Sequence, residues 1–171
     1  MPDFRYIGWV EYGNLTEALA EKVSSSGKTF DLVIGVARGG IPVAMVVSDR
    51  LGVKIDTITV KSYRDIAERG SVRILSTLTE DIKGERVLLV DDLVDQGDTM
   101  SGVKGFLSKK GAKVVKTAVL FKKPWSKTHP DYFLETTRKW IVFPFELSEV
   151  NHLRKARGET LESRARAADS G

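Results

Sequence analysis

The sequence predicts an α/β fold in which a central, mostly parallel sheet is flanked by helices. Short, largely apolar runs, as at Phe30–Val36, alternate with stretches of helical periodicity, as in the stretch from Ile41. Such runs are typical of strands buried on both faces of a parallel sheet. Two of them, Phe30–Val36 and Val87–Val90, lead through a glycine-containing turn into a helix, so strand, turn and helix repeat in the same order. A length of 171 residues suits one domain with its own core.

The composition excludes several classes of protein and of chemistry. With no cysteine, the chain has no disulfide, thiol nucleophile or thiolate zinc site. The two histidines, His129 and His152, lack a ligand partner nearby in the sequence, and we expect both at the surface. No apolar run reaches the length of a membrane span, and the first 13 residues contain no apolar signal core, so we expect a cytoplasmic protein without a membrane partner. The formal net charge of +4 suits an enzyme that binds polyanions, and is too small and dispersed to favour nucleic-acid binding.

Along the chain, the first predicted element is a helix capped by Asn14, with Glu17 three residues later as in a capping box. The strand Phe30–Val36 follows, and its turn leads to the helix from Ile41. Further strands are predicted at Lys54–Tyr63, at Val72–Leu75 and at Lys113–Phe121, and a helix at Thr99–Lys110, which Gly111 ends.

The stretch 87–100 concentrates the charged residues of greatest interest. The apolar run Val87–Val90 leads directly into Asp91 and Asp92, and Asp95 and Thr99 follow. Ligands of open α/β sheets bind beyond the carboxyl ends of such strands. A glycine turn that leads into a helix start offers backbone N–H groups to a phosphate, and carboxylates suit sugar hydroxyls. The stretch therefore predicts a site for a phosphorylated ribose, whereas its spacing fits neither an EF-hand nor a Walker A loop.

Three hydrophobic residues, Asp-Asp, four further residues and Gly-x-Thr, here Leu88–Thr99, resemble the signature of the type I phosphoribosyltransferases. These enzymes bind 5-phosphoribosyl 1-diphosphate (PRPP), and the resemblance implies their α/β fold with a small C-terminal hood. It also implies that Asp91 and Asp92 hold the ribose hydroxyls, directly or through Mg²⁺, and that Asp95 is the general base for purine N7. The implied 5′-phosphate loop consists of Asp95, Gln96, Gly97, Asp98 and Thr99. Gln96, where many members have threonine, and Asp98, a carboxylate beside a phosphate, depart from the pattern.

Two further segments match parts of the same family. The turn after Phe30–Val36 resembles the pyrophosphate loop, which often contains a non-proline cis peptide, here expected between Ala37 and Arg38. Ser62 and Tyr63 resemble the start of a flexible loop that closes over the site. The implied pyrophosphate-binding residues are Ala37, Arg38, Gly39 and Arg69, with Arg64 and Arg73 as weaker candidates.

The last third of the domain resembles the xanthine-guanine branch of the family in two motifs, Lys123-Pro124 and Trp140-Ile-Val-Phe-Pro144. By this resemblance Lys123, Trp140 and Ile141 bind the purine base. Lysine only donates hydrogen bonds, and a 6-oxopurine presents an acceptor oxygen where adenine presents an amino donor. Guanine, hypoxanthine or xanthine is therefore expected in preference to adenine, with Trp140 stacked on the ring and the backbone of Trp140 and Ile141 near the 2-substituent.

The resemblance predicts a purine salvage enzyme that uses PRPP, a purine base and Mg²⁺, as a homodimer or homotetramer. We expect a phosphoribosyltransferase domain at 1–146, with a core at about 14–121 and a base-binding hood at about 122–146. A C-terminal helix and charged tail are expected at 147–171. Two alternatives stay open: a phosphoribosyltransferase for adenine or another acceptor, and a PRPP-sensing regulator that binds RNA or DNA. About 30 residues precede the first predicted strand, too few for an added DNA-binding domain.

Overall fold

The computed structural model describes residues 3–62, 72–148 and 150. Tyr63, Arg64 and Arg69 of the predicted flexible loop lie outside the described residues, as does the tail 151–171 with His152. The elements in chain order are β1 (Phe4–Tyr6), α1 (Trp9–Ser24), β2 (Leu32–Ala37), α2 (Gly40–Leu51), β3 (Lys54–Ser62), β4 (Val72–Ile74), β5 (Arg86–Val94), α3 (Asp98–Lys109), β6 (Val114–Lys122), β7 (Tyr132–Thr136), β8 (Trp140–Val142) and a 3-10 turn at Pro144–Glu146.

The chain forms two compact units, and the larger one is Thr16–Thr137. Its six-stranded sheet has the order β4-β3-β2-β5-β6-β7, in which β4 is antiparallel to β3 and every other pairing is parallel. The central strands are apolar on both faces, and Ile34, Leu89 and Val119 are fully buried together with Val103 of α3. This arrangement confirms the predicted α/β class with a mostly parallel sheet and flanking helices.

The smaller unit consists of Met1–Leu15 and Arg138–Gly171. In it β1 pairs with β8 in parallel, with Phe4 opposite Trp140. Tyr12, Phe143 and Phe145 pack their rings against one another at centroid distances of 5.5–5.9 Å. The predicted division into a core at about 14–121 and a hood at about 122–146 stays a prediction.

Several predicted boundaries are wrong. Helix α1 begins at Trp9, since the Tyr12 N–H already donates to the Gly8 carbonyl, so Asn14 lies inside the helix instead of capping it. Strand β5 does not end at Val90: it continues to Val94 because β6 keeps pairing with it as far as Lys122. The three-residue strand β1 was not predicted at all.

Two other expectations agree with the structure. The peptide bond between Ala37 and Arg38 is cis, and His129 is exposed at the surface. In the described parts of the chain, no helix has the length and apolar character that crossing a bilayer requires.

Candidate active site

Asp91 and Asp92 form an acidic pair on β5 in the middle of the sheet. Asp91 pairs with Val119 of β6, and the Asp92 N–H donates to Asp91 Oδ1 at 2.9 Å. Burial, reinforced by the neighbouring charge of Asp92, raises the pKa of Asp91 well above 3.8. The pair therefore resists double ionisation unless a hydrogen-bond donor or a cation approaches it.

The loop between β2 and α2 lies directly against this pair. A Cβ on Gly39 would collide with the Asp92 carboxylate, and one on Gly40 would lie 2.5 Å from the Val90 carbonyl oxygen. Glycine at these two positions leaves room for the Asp92 side chain and for the backbone of β5. The structure thus brings the predicted pyrophosphate residues Ala37–Gly39, at and just after the end of strand β2, close to the predicted ribose residues on the neighbouring strand β5.

The predicted phosphate loop, 95–99, connects β5 to the start of α3. Gly97 precedes the helix with φ +96°, a left-handed conformation that favours glycine. The segment that follows β6 supports the loop: the Lys127 N–H donates to the Gln96 carbonyl at 3.1 Å, and Thr128 Oγ1 donates to the Gly97 carbonyl at 3.0 Å. Asp98 is the first residue of α3, where a carboxylate interacts favourably with the helix dipole, which gives this departure from the family pattern a structural reason.

Lys123 follows β6 and lies beside the phosphate loop. Lys123 is only 6% exposed, and its backbone N–H donates to the Val94 carbonyl at 2.9 Å. Burial lowers the pKa of Lys123 below 10.5, and the nearby charge of Asp95 partly opposes that shift. The predicted base-reading lysine and the predicted general base are therefore neighbours in space.

Trp125 joins these two residues, and sequence reasoning placed it only in a loop. Its indole Nε1–H donates to Asp95 Oδ1 at 2.7 Å, and the Lys123 ammonium lies 5.7 Å from the centroid of its ring. The partners are 30 positions apart in the sequence, so no local pattern indicates the contact. The position of Trp125 directly after Lys123-Pro124 was the one available signal.

In the smaller unit, the predicted base-binding residues stand next to each other on β8. Trp140 is half exposed, with its ring 6.4 Å from that of Phe4, and Ile141 is buried. The Trp140 N–H donates to the Asp3 carbonyl at 2.7 Å, so this N–H serves strand pairing. A base-binding role for Trp140 and Ile141 stays a prediction.

Two further predicted residues, Ser62 and Arg73, lie on the antiparallel edge of the sheet. Ser62 ends β3, and Arg73 lies on β4 opposite Lys61. Tyr63 and Arg69 fall outside the described residues, so the loop they were predicted to form stays a prediction.

The residues present fit a magnesium ion bound together with a substrate. Within residues 3–62, 72–148 and 150, no group of three or more His, Cys, Asp or Glu side chains could hold a metal ion by itself. Mg²⁺ typically takes one or two carboxylates along with substrate phosphates and water, in contrast to metals held by a complete protein cage. The pair Asp91 and Asp92 matches that mode.

Comparison with known proteins shows the family to which the chain is similar. Residues 9–150 match the family described as the phosphoribosyl transferase domain. A xanthine-guanine phosphoribosyltransferase from Idiomarina loihiensis is 30% identical over 145 residues, which cover 83% of this chain and 86% of the relative. The crystal structure of a purine phosphoribosyltransferase from Pyrococcus horikoshii is 40% identical with a TM-score of 0.76, covering 84% of this chain and 94% of that one. A Neisseria gonorrhoeae protein crystallised with bound ppGpp is 26% identical with a TM-score of 0.70, covering 92% and 98%.

Proposed function

This chain belongs to the phosphoribosyltransferase family, an enzyme family, and we propose that it converts a 6-oxopurine and PRPP to the nucleoside 5′-monophosphate and pyrophosphate. The observation that carries the choice of base is the buried Lys123 beside Asp95. A 6-oxopurine needs a hydrogen-bond donor at its oxygen, and lysine can only donate. The names of the relatives, a xanthine-guanine and a purine phosphoribosyltransferase, support the same class of acceptor.

On the PRPP side, we assign one part of PRPP to each of three neighbouring segments: the 95–99 loop, the acidic pair on β5 and the loop after β2. The backbone of 95–99 and the Thr99 hydroxyl receive the 5′-phosphate, since the start of a helix favours an anion. Asp91 and Asp92 accept hydrogen bonds from the ribose hydroxyls, and Ala37–Gly39 with the Arg38 guanidinium receives the pyrophosphate. Mg²⁺, when bound with PRPP, would be held by Asp91 and Asp92 and would neutralise the leaving pyrophosphate.

On the base side, the reaction needs one proton transfer and no protein nucleophile. Purine N9 attacks the anomeric carbon as the bond from that carbon to the pyrophosphate oxygen breaks, and the N7 proton passes to Asp95. Lys123 donates to the 6-oxo group and so orients the ring for attack. Placing the two reactants in line is the main contribution of the protein to such a transfer.

The test is nucleotide formation from PRPP and Mg²⁺ with guanine, hypoxanthine, xanthine and adenine supplied separately. We expect turnover with 6-oxopurines and little with adenine. Lys123→Ala should lower kcat/KM for the 6-oxopurine by roughly 10- to 100-fold, because a hydrogen bond from a charged group contributes about 1.5–3 kcal/mol. Lys104→Ala, which removes an exposed lysine on α3, is the matched control and should leave turnover unchanged.

The outcomes separate the proposal from its alternatives. Turnover with adenine alone, or with orotate supplied as a fifth acceptor and with none of the purines, would show another acceptor. PRPP binding without turnover of any base would contradict the proposed reaction and favour a PRPP-sensing regulator. The proposed homodimer or homotetramer is checked separately, by light scattering of the purified protein.

A further inference from the structure

We propose that Trp125 is a positioning residue, which orients the Asp95 carboxylate through its indole N–H and steadies the Lys123 ammonium with its ring. The inference rests on the proposed function, because it gives the contact a role in transfer to the purine. Trp125 would thus join Asp95 and Lys123, the two residues proposed to act on the base.

The first observation is the hydrogen bond from Trp125 Nε1 to Asp95 Oδ1, at 2.7 Å. Asp95 is exposed in the loop before α3, where a carboxylate would otherwise rotate between several positions. An indole N–H donates a hydrogen bond and accepts none. It can therefore hold the Asp95 carboxylate without competing for the proton that Asp95 accepts from the purine. The contact occupies Oδ1 and leaves Oδ2 to accept the proton from the purine.

The second observation is the position of the same ring beside Lys123. The Lys123 ammonium lies 5.7 Å from the ring centroid, within the distance of about 6 Å at which a cation is attracted to an aromatic face. The Ser126 N–H donates to the Lys123 carbonyl at 3.1 Å, which closes a turn that carries Trp125 back toward the lysine. One rigid side chain thereby fixes both the acceptor of the N7 proton and the donor to the 6-oxo group.

Packing alone does not account for Trp125, because its residue is 44% exposed. A tryptophan that mainly filled the core would leave a large cavity when shortened, and the protein would lose stability. A positioning role predicts the opposite combination: a loss of kcat at nearly constant stability.

Trp125→Phe tests the indole N–H, since it keeps an aromatic ring and removes the donor. We expect kcat to fall about tenfold with an unchanged KM for PRPP, the size expected for one hydrogen bond to a charged group. Trp125→Leu, which also removes the ring, should further reduce the preference for 6-oxopurines over adenine. Trp9→Phe replaces an exposed tryptophan of the smaller unit and should leave both parameters unchanged.

A double variant separates positioning from a general effect on the site. In the Asp95→Asn background, Trp125→Phe should cause no further loss of kcat, because the group that it positions has lost its basic function. Losses that simply multiply, an unchanged kcat in Trp125→Phe, or a fall in Tm that matches the fall in activity would each overturn the positioning role.

A measurement independent of turnover checks the contact itself. The chain has three tryptophans, so the amide NMR spectrum contains three indole N–H signals that single Trp→Phe variants assign. The Trp125 signal should move in Asp95→Asn, while the Trp9 signal stays in place. An unmoved Trp125 signal would overturn the contact. A moved signal in a protein that turns over no base would overturn the proposed function and, with it, the positioning role of Trp125.

Discussion

Replacing Gly40 with alanine tests whether α2 must lie directly on β5 to keep the candidate active site assembled. The added Cβ would lie 2.5 Å from the Val90 carbonyl oxygen and 2.9 Å from Asp91 Cα. Both are backbone atoms of a buried strand and cannot rotate away. Overpacking of this kind typically costs about 1–3 kcal/mol, more than the roughly 0.5–1 kcal/mol that alanine gains over glycine in a helix. We therefore expect a net loss of about 1–2 kcal/mol in the free energy of unfolding.

The same change should affect activity more strongly than stability. Ordinary van der Waals contact begins at 3.4 Å, so the start of α2 must retreat by about 0.9 Å, the difference from 2.5 Å. That movement carries the Ala37–Gly39 loop away from Asp92. Since a misplacement of about 1 Å can lower a rate by 10²-fold, kcat/KM for PRPP should fall by 10- to 100-fold.

Gly105→Ala is the matched control, because it makes the same chemical change in helix α3 where the new Cβ meets nothing within 4 Å. It should raise the free energy of unfolding by about 0.5–1 kcal/mol and leave turnover unchanged. Urea unfolding and steady-state kinetics on both variants provide the comparison, and Tm should move by roughly 2–4 °C for each kcal/mol. Equal stability and activity in the two variants would show that close packing of α2 on β5 is not what assembles the site.

Three further predictions concern the acidic pair, the phosphate loop and a buried aspartate. Asp91→Asn should lower turnover yet raise the free energy of unfolding, by a difference that grows as the pH rises above 3.8, because the raised pKa of the wild-type carboxyl makes its ionisation costly only in the folded protein. Gly97→Ala should weaken PRPP binding, since its φ is +96° and its Cβ would meet a threonine side chain. Gly84→Ala is the control, because Gly84 also has a positive φ, +81°, but open space around it; this variant should be less stable and bind PRPP unchanged. Asp56→Ala should cost about 2–4 kcal/mol of stability because three backbone N–H groups donate to that carboxylate, whereas exposed Asp49→Ala should stay within about 0.5 kcal/mol.

Each of these predictions has an outcome that contradicts it. A pH-independent stability difference in Asp91→Asn would show that burial of that carboxyl is not costly. PRPP affinity that falls equally in the variants of Gly97 and Gly84 would assign the effect to backbone strain in general. Equal unfolding free energies for the variants of Asp56 and Asp49 would show that water replaces the lost acceptor without cost.

The sequence predicted best what neighbouring residues determine among themselves. The alternation of apolar runs and helical stretches indicated the α/β class, and the run 87–90 marked the strand that carries the acidic pair. The end of that strand was missed because pairing between β5 and β6 continues through Asp91 and Asp92, and only the partner strand decides that. Strand β1 was missed for the same reason: three residues carry no periodic signal, and their partner at Trp140 lies at the other end of the chain.

The site shows the same division between local and distant information. Asp91 and Asp92 could be proposed as site residues because they are adjacent in the sequence after an apolar run. The requirement for Gly39 and Gly40 could be explained only after folding, when the Asp92 carboxylate and the Val90 carbonyl were found against them. Trp125 illustrates the limit most clearly, because its hydrogen bond to Asp95 depends on β6 lying alongside β5.

The proposed binding of PRPP also accounts for the acidic pair Asp91 and Asp92, an energetically unfavourable arrangement at the centre of the sheet. Burial, and then the neighbouring charge of Asp92, raise the pKa of Asp91, so ionisation of both carboxylates is unfavourable. Ribose hydroxyls that donate to the pair, or a cation beside it, would favour the ionised form and relieve the repulsion. The acidic pair thus lies where the proposed substrate would add hydrogen-bond donors and a cation. In the proposed complex, the unfavourable burial of Asp91 and Asp92 is offset by their contacts with PRPP, and Asp91→Asn should therefore change stability and turnover in opposite directions.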